Sequence, residues 1–347
     1  MEGRACDCHR RLVNRSPALI KMMKPNVVIT HWVHDEVIQL LELSCNVRPN
    51  RSLTTLPRYK ILAMAEDADA IMVFMPDLID TEFLDRCPRL KIVAAALKGF
   101  DNIDAEACRR CGVELSIMPD LLTEPTAEFA VALLLAVGRN ILTGDRMVRH
   151  GDFKGWRPVL YGSGLWGSQV GIVGMGAIGQ AIAKRLSGFG CEITYYDPQR
   201  LDPEREQYIG VRPLPFAELL QMSRFVVVAV PLTPETLHII DKRALAMMTR
   251  GTYLVNIGRG SVVDEAAVAE SLKYGHLAGY AADVFEFEDL ARNNRPKCIH
   301  PGLSGNERQT VLTPHLGSAT DAARREIAMA AAENILEALK KDKYLPA

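Results

Sequence analysis

The sequence predicts an α/β protein built from two doubly wound domains, each a parallel sheet with helices on both faces. Three observations predict it. Short, unbroken apolar runs alternate with amphipathic segments from residue 26 onward; a long apolar helix interrupts the rhythm near residue 125; a second alternating series then begins at Gln169. Strands that are apolar throughout, with helices between them, belong to parallel sheets buried on both sides.

In the first series "NVVIT" precedes "HDEVIQLLEL", where Val37, Leu40 and Leu41 recur at helical spacing. "DAIMVFMP" (69–76) precedes "DTEFLDRC", "LKIVAAAL" (90–97) precedes "DAEACRRC", and "VELSIMP" (113–119) closes the series. One helix is expected over about 125–153. It is apolar nearly all round from 126 to 139, more than a surface helix needs, and is expected to pack across a dimer interface. The second series reads "VGIVGMG", "CEITYYD", "FVVVAVP", "GTYLVNIG", "LAGYAADVF" and "TVLTP". "SATDAARREIAMAAAENILEALKK" is a long amphipathic helix expected to return to the first domain.

Residues 1–22 stand apart. They are rich in arginine, lack the apolar core of a secretory signal, and precede Met22–Met23, so they read as a leader or upstream extension, expected to be poorly ordered. A formal net charge of −1 over 347 residues argues against nucleic acid as a partner. The apolar run "FAVALLLAV" is far shorter than the roughly 20 residues that span a bilayer. Cys108 and Cys111 form a lone CxxC with no second pair to complete a metal site. Scattered thiols of this kind suit a cytoplasmic protein, with no metal expected.

Gly174, Gly176 and Gly179 in "VGIVGMGAIGQ" carry GxGxxG spacing between an apolar strand and a helix. In that context the glycines allow a tight turn, backbone approach to a pyrophosphate, and close helix–strand packing. The anion then meets free N–H groups at a helix start, here Ala177 and Ile178. Asp197, followed by Pro198, ends the next strand, where a carboxylate binds ribose hydroxyls and repels a 2′-phosphate. The cofactor expected is therefore NAD rather than NADP, although Arg200 lies close enough in sequence to tolerate the extra phosphate.

Ligands of open parallel sheets bind beyond the carboxyl ends of the strands. Arg259, Glu288 and His315 each follow an apolar strand, so all three can serve one crevice. A histidine exchanges a proton, a carboxylate on its other nitrogen fixes the tautomer, and an arginine grips an oxyanion through its planar fork.

"GMGAIG", "NIGRGSVVDEAAV", "DVFEFED" and "TPHLGSA" together resemble the D-2-hydroxyacid dehydrogenase family. The resemblance implies that Arg259, Glu288 and His315 form the catalytic triad. It implies a Rossmann-like domain at 123–316, and a flavodoxin-like substrate domain made of 23–122 plus 317–347. It also implies cofactor contacts from Thr126, Val230, Pro231, Asn256, Ile257, Asp283, His315 and Gly317.

One lysine does not fit the general pattern. "VAAALKGFDNID" puts Lys98 where an apolar strand stops, directly before Gly99. A lysine there can simply cap the strand and reach water. "LKGFDN", "VITHWVHDE", "FMPDLID", "DFKGWRP" and "GYAADVFEFEDLAR", however, resemble the phosphonate (phosphite) dehydrogenase branch of that family. This resemblance implies a phosphite substrate clamped by Lys98 and Arg259, with Gly99, Met75, Trp156, Tyr161 and Ser318 lining its pocket. His315 would take a proton from water as its oxygen attacks phosphorus, while hydride leaves to NAD. The alternatives are a glyoxylate or hydroxypyruvate reductase, which shares every motif but the lysine turn, and an NAD-sensing, corepressor-like binding protein.

Overall fold

The computed structural model describes residues 24–118 and 120–341; the expected leader over 1–22 lies outside them. The chain divides into two compact units, one up to Leu122 and again from Asp321, the other Thr123–Thr320. The second crossing falls four residues beyond the 316/317 boundary expected from sequence. Gly317 N–H donates to Asp283 Oδ2 at 2.7 Å, which holds that stretch to the second unit.

In the first unit β1 (Asn26–Ile29), α1 (Asp35–Glu42), β2 (Asn46–Pro49), α2 (Arg58–Ala65), β3 (Ala70–Val73), α3 (Thr81–Arg86), β4 (Ile92–Ala95), α4 (Ala105–Cys111) and β5 (Glu114–Ile117) follow one another. Their strands form a five-stranded parallel sheet of order β2-β1-β3-β4-β5. Alternate residues feed two cores. Val27, Ile29, Met72 and Ala94 pack on one face; Val28, Ile71, Val93 and Ala95 pack on the other.

The second unit contains α5 (Thr123–Gly138), α6 (Ile141–Arg149), β6 (Gln169–Val173), α7 (Ala177–Leu186), β7 (Glu192–Tyr196), α8 (Pro203–Ile209), β8 (Val211–Pro213), α9 (Phe216–Met222) and β9 (Phe225–Val228). It continues with α10 (Lys242–Met247), β10 (Thr252–Asn256), α11 (Glu265–Lys273), β11 (Leu277–Ala282), α12 (Pro301–Ser304) and β12 (Thr310–Leu312). Its seven parallel strands run β12-β11-β10-β9-β6-β7-β8, reversing direction of travel between β6 and β9. In the first unit the reversal lies between β1 and β3. These are the doubly wound orders in which ligands meet the switch point. α13 (Asp321–Lys341) belongs to the first unit, burying Ile327, Ala331, Ile335 and Leu339 in its core.

One feature departs from the sequence reading. Helix 125–153 is two helices, bent by 63°. Asn140 stands at the break with φ of 54°, a conformation open to asparagine, and its Nδ2 donates to the Leu160 carbonyl. One face of α5 is used inside its own unit, where Ala127, Ala130, Leu133 and Leu134 join the core that includes Ile182 and Val255, while Ala132 is exposed and Phe129 and Leu135 are half-buried. No single helix among the described residues is long and apolar enough to cross a membrane.

Candidate active site

In the second unit the glycine fingerprint lies at the switch point. Gly174 has φ of 99°, and a Cβ there would fall 2.8 Å from both Ala229 O and Val230 Cγ1. At Gly179 a Cβ would strike the Gly174 carbonyl, so helix and turn pack as closely as the spacing predicts. Gly176, by contrast, faces open space and begins α7 with no side-chain cap, leaving the helix-start N–H groups for a ligand. These residues fit a dinucleotide pyrophosphate.

Asp197 ends β7 with its carboxylate fixed: Oδ2 accepts from Met175 N–H at 2.7 Å and Oδ1 from Gln199 N–H at 2.9 Å. Pro198 lies within the same turn. Arg200 is engaged elsewhere. It donates to Glu206 through Nε and Nη2, both at 2.9 Å, and Tyr195 Oη donates to the same carboxylate at 2.6 Å. The arginine whose charge could have welcomed a 2′-phosphate is thereby paired.

The ends of β9, β10 and β11 converge. A Cβ at Gly258 would lie 2.5 Å from the Val230 carbonyl, and one at Gly317 within 3.5 Å of Asp283, Thr126 and Ile257 side chains. Pro231 follows Val230 directly. The structure therefore gathers Gly174, Val230, Ile257, Thr126, Asp283 and Gly317 along one strand-end edge. Asn256 shapes the turn that carries Arg259: its Nδ2 donates to Arg259 O at 2.8 Å, and its Oδ1 accepts from Gly258 N–H at 3.1 Å. The Arg259 guanidinium donates to Gly258 O at 3.0 Å.

His315 Nδ1 lies 2.8 Å from Glu288 Oε2, whose other oxygen accepts from Phe285 N–H at 2.8 Å. Both side chains are partly exposed. His315 has φ of 56°, an uncommon conformation for a side-chain-bearing residue that costs on the order of 1 kcal/mol. Asp283 holds it there. The aspartate accepts from Thr313 Oγ1 at 2.6 Å and from the Leu316 and Gly317 amides at 2.7 Å, while its carbonyl accepts from His315 N–H at 2.9 Å. Burial pushes the Asp283 carboxyl up, opposed by those same hydrogen bonds. Ser318 is buried just beyond. Trp156 and Tyr161 are 83% and 77% exposed on the irregular stretch after α6, outside this packed arrangement.

In the first unit Met75 follows β3, and Lys98–Gly99 follow β4. Lys98 is partly buried, and desolvation holds its amine below the ordinary lysine range, the Asp120 charge opposing. Sequence reading missed the residue that organises these turns. Asn102 is 2% exposed, and its Nδ2 donates to Asp77 O at 2.6 Å and to Phe74 O and Met75 O, both at 3.3 Å. Asp77 in turn accepts from Thr30 Oγ1 at 2.6 Å and Phe74 N–H at 2.8 Å. A buried polar residue leaves no periodic trace, although its place in "GFDNID" is a cue. The lone CxxC is not at this edge; burial pushes the Cys108 thiol up to about 11, which keeps it protonated.

Residues 131–317 match the D-isomer specific 2-hydroxyacid dehydrogenase, NAD binding domain. The chain is 40% identical over 319 residues to a glyoxylate reductase of Thermococcus litoralis, covering 90% of this chain and 93% of the relative. Among solved structures, the TT0316 protein from Thermus thermophilus superposes with a TM-score of 0.81 at 36% identity, covering 91% of this chain and 97% of that one. A D-lactate dehydrogenase from Aquifex aeolicus, complexed with NAD and lactic acid, gives 0.79 at 25% identity, covering 91% and 96%.

Proposed function

The chain belongs to the D-isomer specific 2-hydroxyacid dehydrogenase family, and from that premise we propose that it reduces a short 2-oxo acid of the glyoxylate or hydroxypyruvate class with NADH. The observation that carries this reading is the His315–Glu288 pair at 2.8 Å on the strand-end edge that also carries the dinucleotide fingerprint. The glyoxylate reductases among its relatives support the substrate class.

When bound, the reduced nicotinamide supplies the hydride to the substrate's carbonyl carbon. The protein's own work is the rest. Arg259 grips the oxyanion of the substrate, which orients the carbonyl. His315 donates its proton to the carbonyl oxygen as negative charge develops there. Glu288 stabilises the imidazolium and fixes the ring, so that the nitrogen remote from the carboxylate faces the reaction. Ile257, Thr126 and Gly317 supply the apolar and close-packed wall beside it.

Lys98 favours a second reading, oxidation of phosphite. An ammonium kept partly out of water attracts an anion more strongly than one in bulk solvent, and a compact oxyanion must be recognised by charge and hydrogen bonds alone. In that reaction His315 would accept the proton of the water that attacks phosphorus, and the oxidised nicotinamide, when bound, would supply the acceptor for the hydride, leaving phosphate. Met75 and Gly99, on the same strand-end turns of the first unit as Lys98, would then contribute to holding the anion.

One assay distinguishes the readings. Absorbance of NADH is followed with glyoxylate plus NADH, with phosphite plus NAD, and with cofactor alone. Turnover with glyoxylate but not phosphite is expected; turnover with phosphite alone replaces the first reading by the second, and binding without turnover supports a cofactor-sensing role. The pairing of Arg200 with Glu206 further predicts a kcat/KM for NADH above that for NADPH by about tenfold or more. A preference for NADPH would overturn the cofactor assignment.

A further inference from the structure

The turns bearing Arg259 and Glu288 come from different strands, yet anion binding and histidine orientation require both in fixed register. Their own backbones do not supply this alone. The Gly260–Val262 turn follows Arg259, and the Glu286–Glu288 turn carries the glutamate; each is a single short 3-10 turn. Gly260 packs so tightly on the Phe285 backbone that no side chain fits, which brings the two turns into contact without locking them laterally.

The lock is polar and buried. Asp289, the residue after Glu288 and 4% exposed, accepts from Ser261 N–H through Oδ2 at 2.7 Å. Arg292, whose side chain is 17% exposed, donates from one nitrogen to Ser261 Oγ and to Glu286 Oε2, the latter at 3.0 Å. Glu286 is held from the other side by His238 Nε2 at 3.0 Å and by Glu265 N–H at 3.2 Å; Glu265 returns the bond to Glu286 N–H at 2.9 Å. A buried charge pair of this kind need not stabilise the fold, since desolvation offsets much of the attraction. Fixing a geometry is the better-supported use.

We propose that Asp289 and Arg292 are positioning residues that join the Arg259 turn to the Glu288 turn, setting the anion grip and the histidine-orienting carboxylate as one rigid piece. The idea rests on the hydride-transfer reading given above. Neither residue needs to touch substrate. Removing Asp289 frees Ser261 N–H and lets the Arg259 turn drift, so the anion should be felt first and the dinucleotide hardly at all.

The test compares Asp289→Ala, Asp289→Asn and Arg292→Ala with the parent. Asp289→Ala is expected to raise the KM for the anionic substrate and lower kcat, together costing about a hundredfold in kcat/KM. The dissociation constant for NADH, read by fluorescence, should stay within about twofold of the parent, because these hydrogen bonds of Asp289 and Arg292 run to Ser261 and Glu286 and not to the 174–179 turn. Asp289→Asn keeps an acceptor for Ser261 N–H and should recover most of the loss. Arg292→Ala should regain activity saturably when guanidinium ion is added at millimolar concentration. Hydrogen exchange of the 260–263 amides supplies a readout that needs no turnover: Asp289→Ala should speed it, Asp289→Asn much less.

If NADH affinity falls in parallel with kcat, or if Asp289→Ala leaves both kinetics and exchange unchanged, the positioning role is wrong. If the parent turns over neither glyoxylate nor phosphite while the exchange result holds, the functional reading fails and the lock survives.

Discussion

The strand ends of the two units solve different problems with different materials. In the second unit the His315 ring meets the Glu288 carboxylate, and Asp283 holds the Thr313 hydroxyl and the amides that follow it. In the first unit the side chains of Asn102 and Asp77 hold main-chain groups, shaping the turns around Met75, while a desolvated lysine marks the next strand end. The contrast teaches a division of labour. Proton chemistry needs a ring fixed in tautomer and direction, and here the Glu288 carboxylate is placed to fix it. Anion selection needs correctly placed charge and backbone, which well-tied turns give.

The sharpest way to break this division is His315→Ala. Loss of the proton donor should lower kcat by about a thousandfold, with NADH affinity nearly unchanged. A fall of less than about tenfold would mean that another group moves the proton, and that the second unit holds no special claim to it.

Next in size is Lys98→Met, which keeps length and removes charge. If the lysine serves a compact inorganic anion, kcat/KM for phosphite should fall by about a hundredfold, in line with a charged hydrogen bond. A 2-oxo acid, whose carboxylate Arg259 already grips, should lose about tenfold or less. Equal losses would mean that Lys98 does not discriminate a compact inorganic anion from a 2-oxo acid. No change with either substrate would reduce Lys98 to a strand cap.

What was legible in the sequence follows the same contrast. GxGxxG, Asp197 and the three polar residues after apolar strands could be read because each is punctuation on a hydrophobic rhythm. The two strands that escaped, Asn46–Pro49 and Val211–Pro213, are edge strands sharing "VRP", where arginine and proline replace the apolar run. Edges carry such residues because one side of the strand has no partner to satisfy. The apolar helix Thr123–Gly138 was legible only in part: periodicity reports that a face is covered, not by what. Asn102 and Asp289 left no periodic signal because their buried polar contacts depend on partners distant in sequence, 25 residues from Asn102 to Asp77 and 28 from Asp289 to Ser261.

The smallest expected effect is thermal, and it tests whether the first unit gives up stability for its charge. Burial lowers the Lys98 pKa in the folded protein below its value of 10.5 in the open chain. The sign follows from proton counting: between the two values the unfolded chain binds more protons, so stability rises with pH through that window. Below the folded-state value the amine is charged in both states and the folded state bears the desolvation cost; above the open-chain value it is neutral in both and the cost is gone. Lys98→Met should therefore raise Tm by about 1–3 °C at pH 7, with the gain shrinking as pH rises through the alkaline range. A gain that stays constant with pH would assign it to packing by methionine. A loss at pH 7 would show that the Asp120 charge outweighs desolvation, and that the lysine holds this turn together rather than being held there for a ligand.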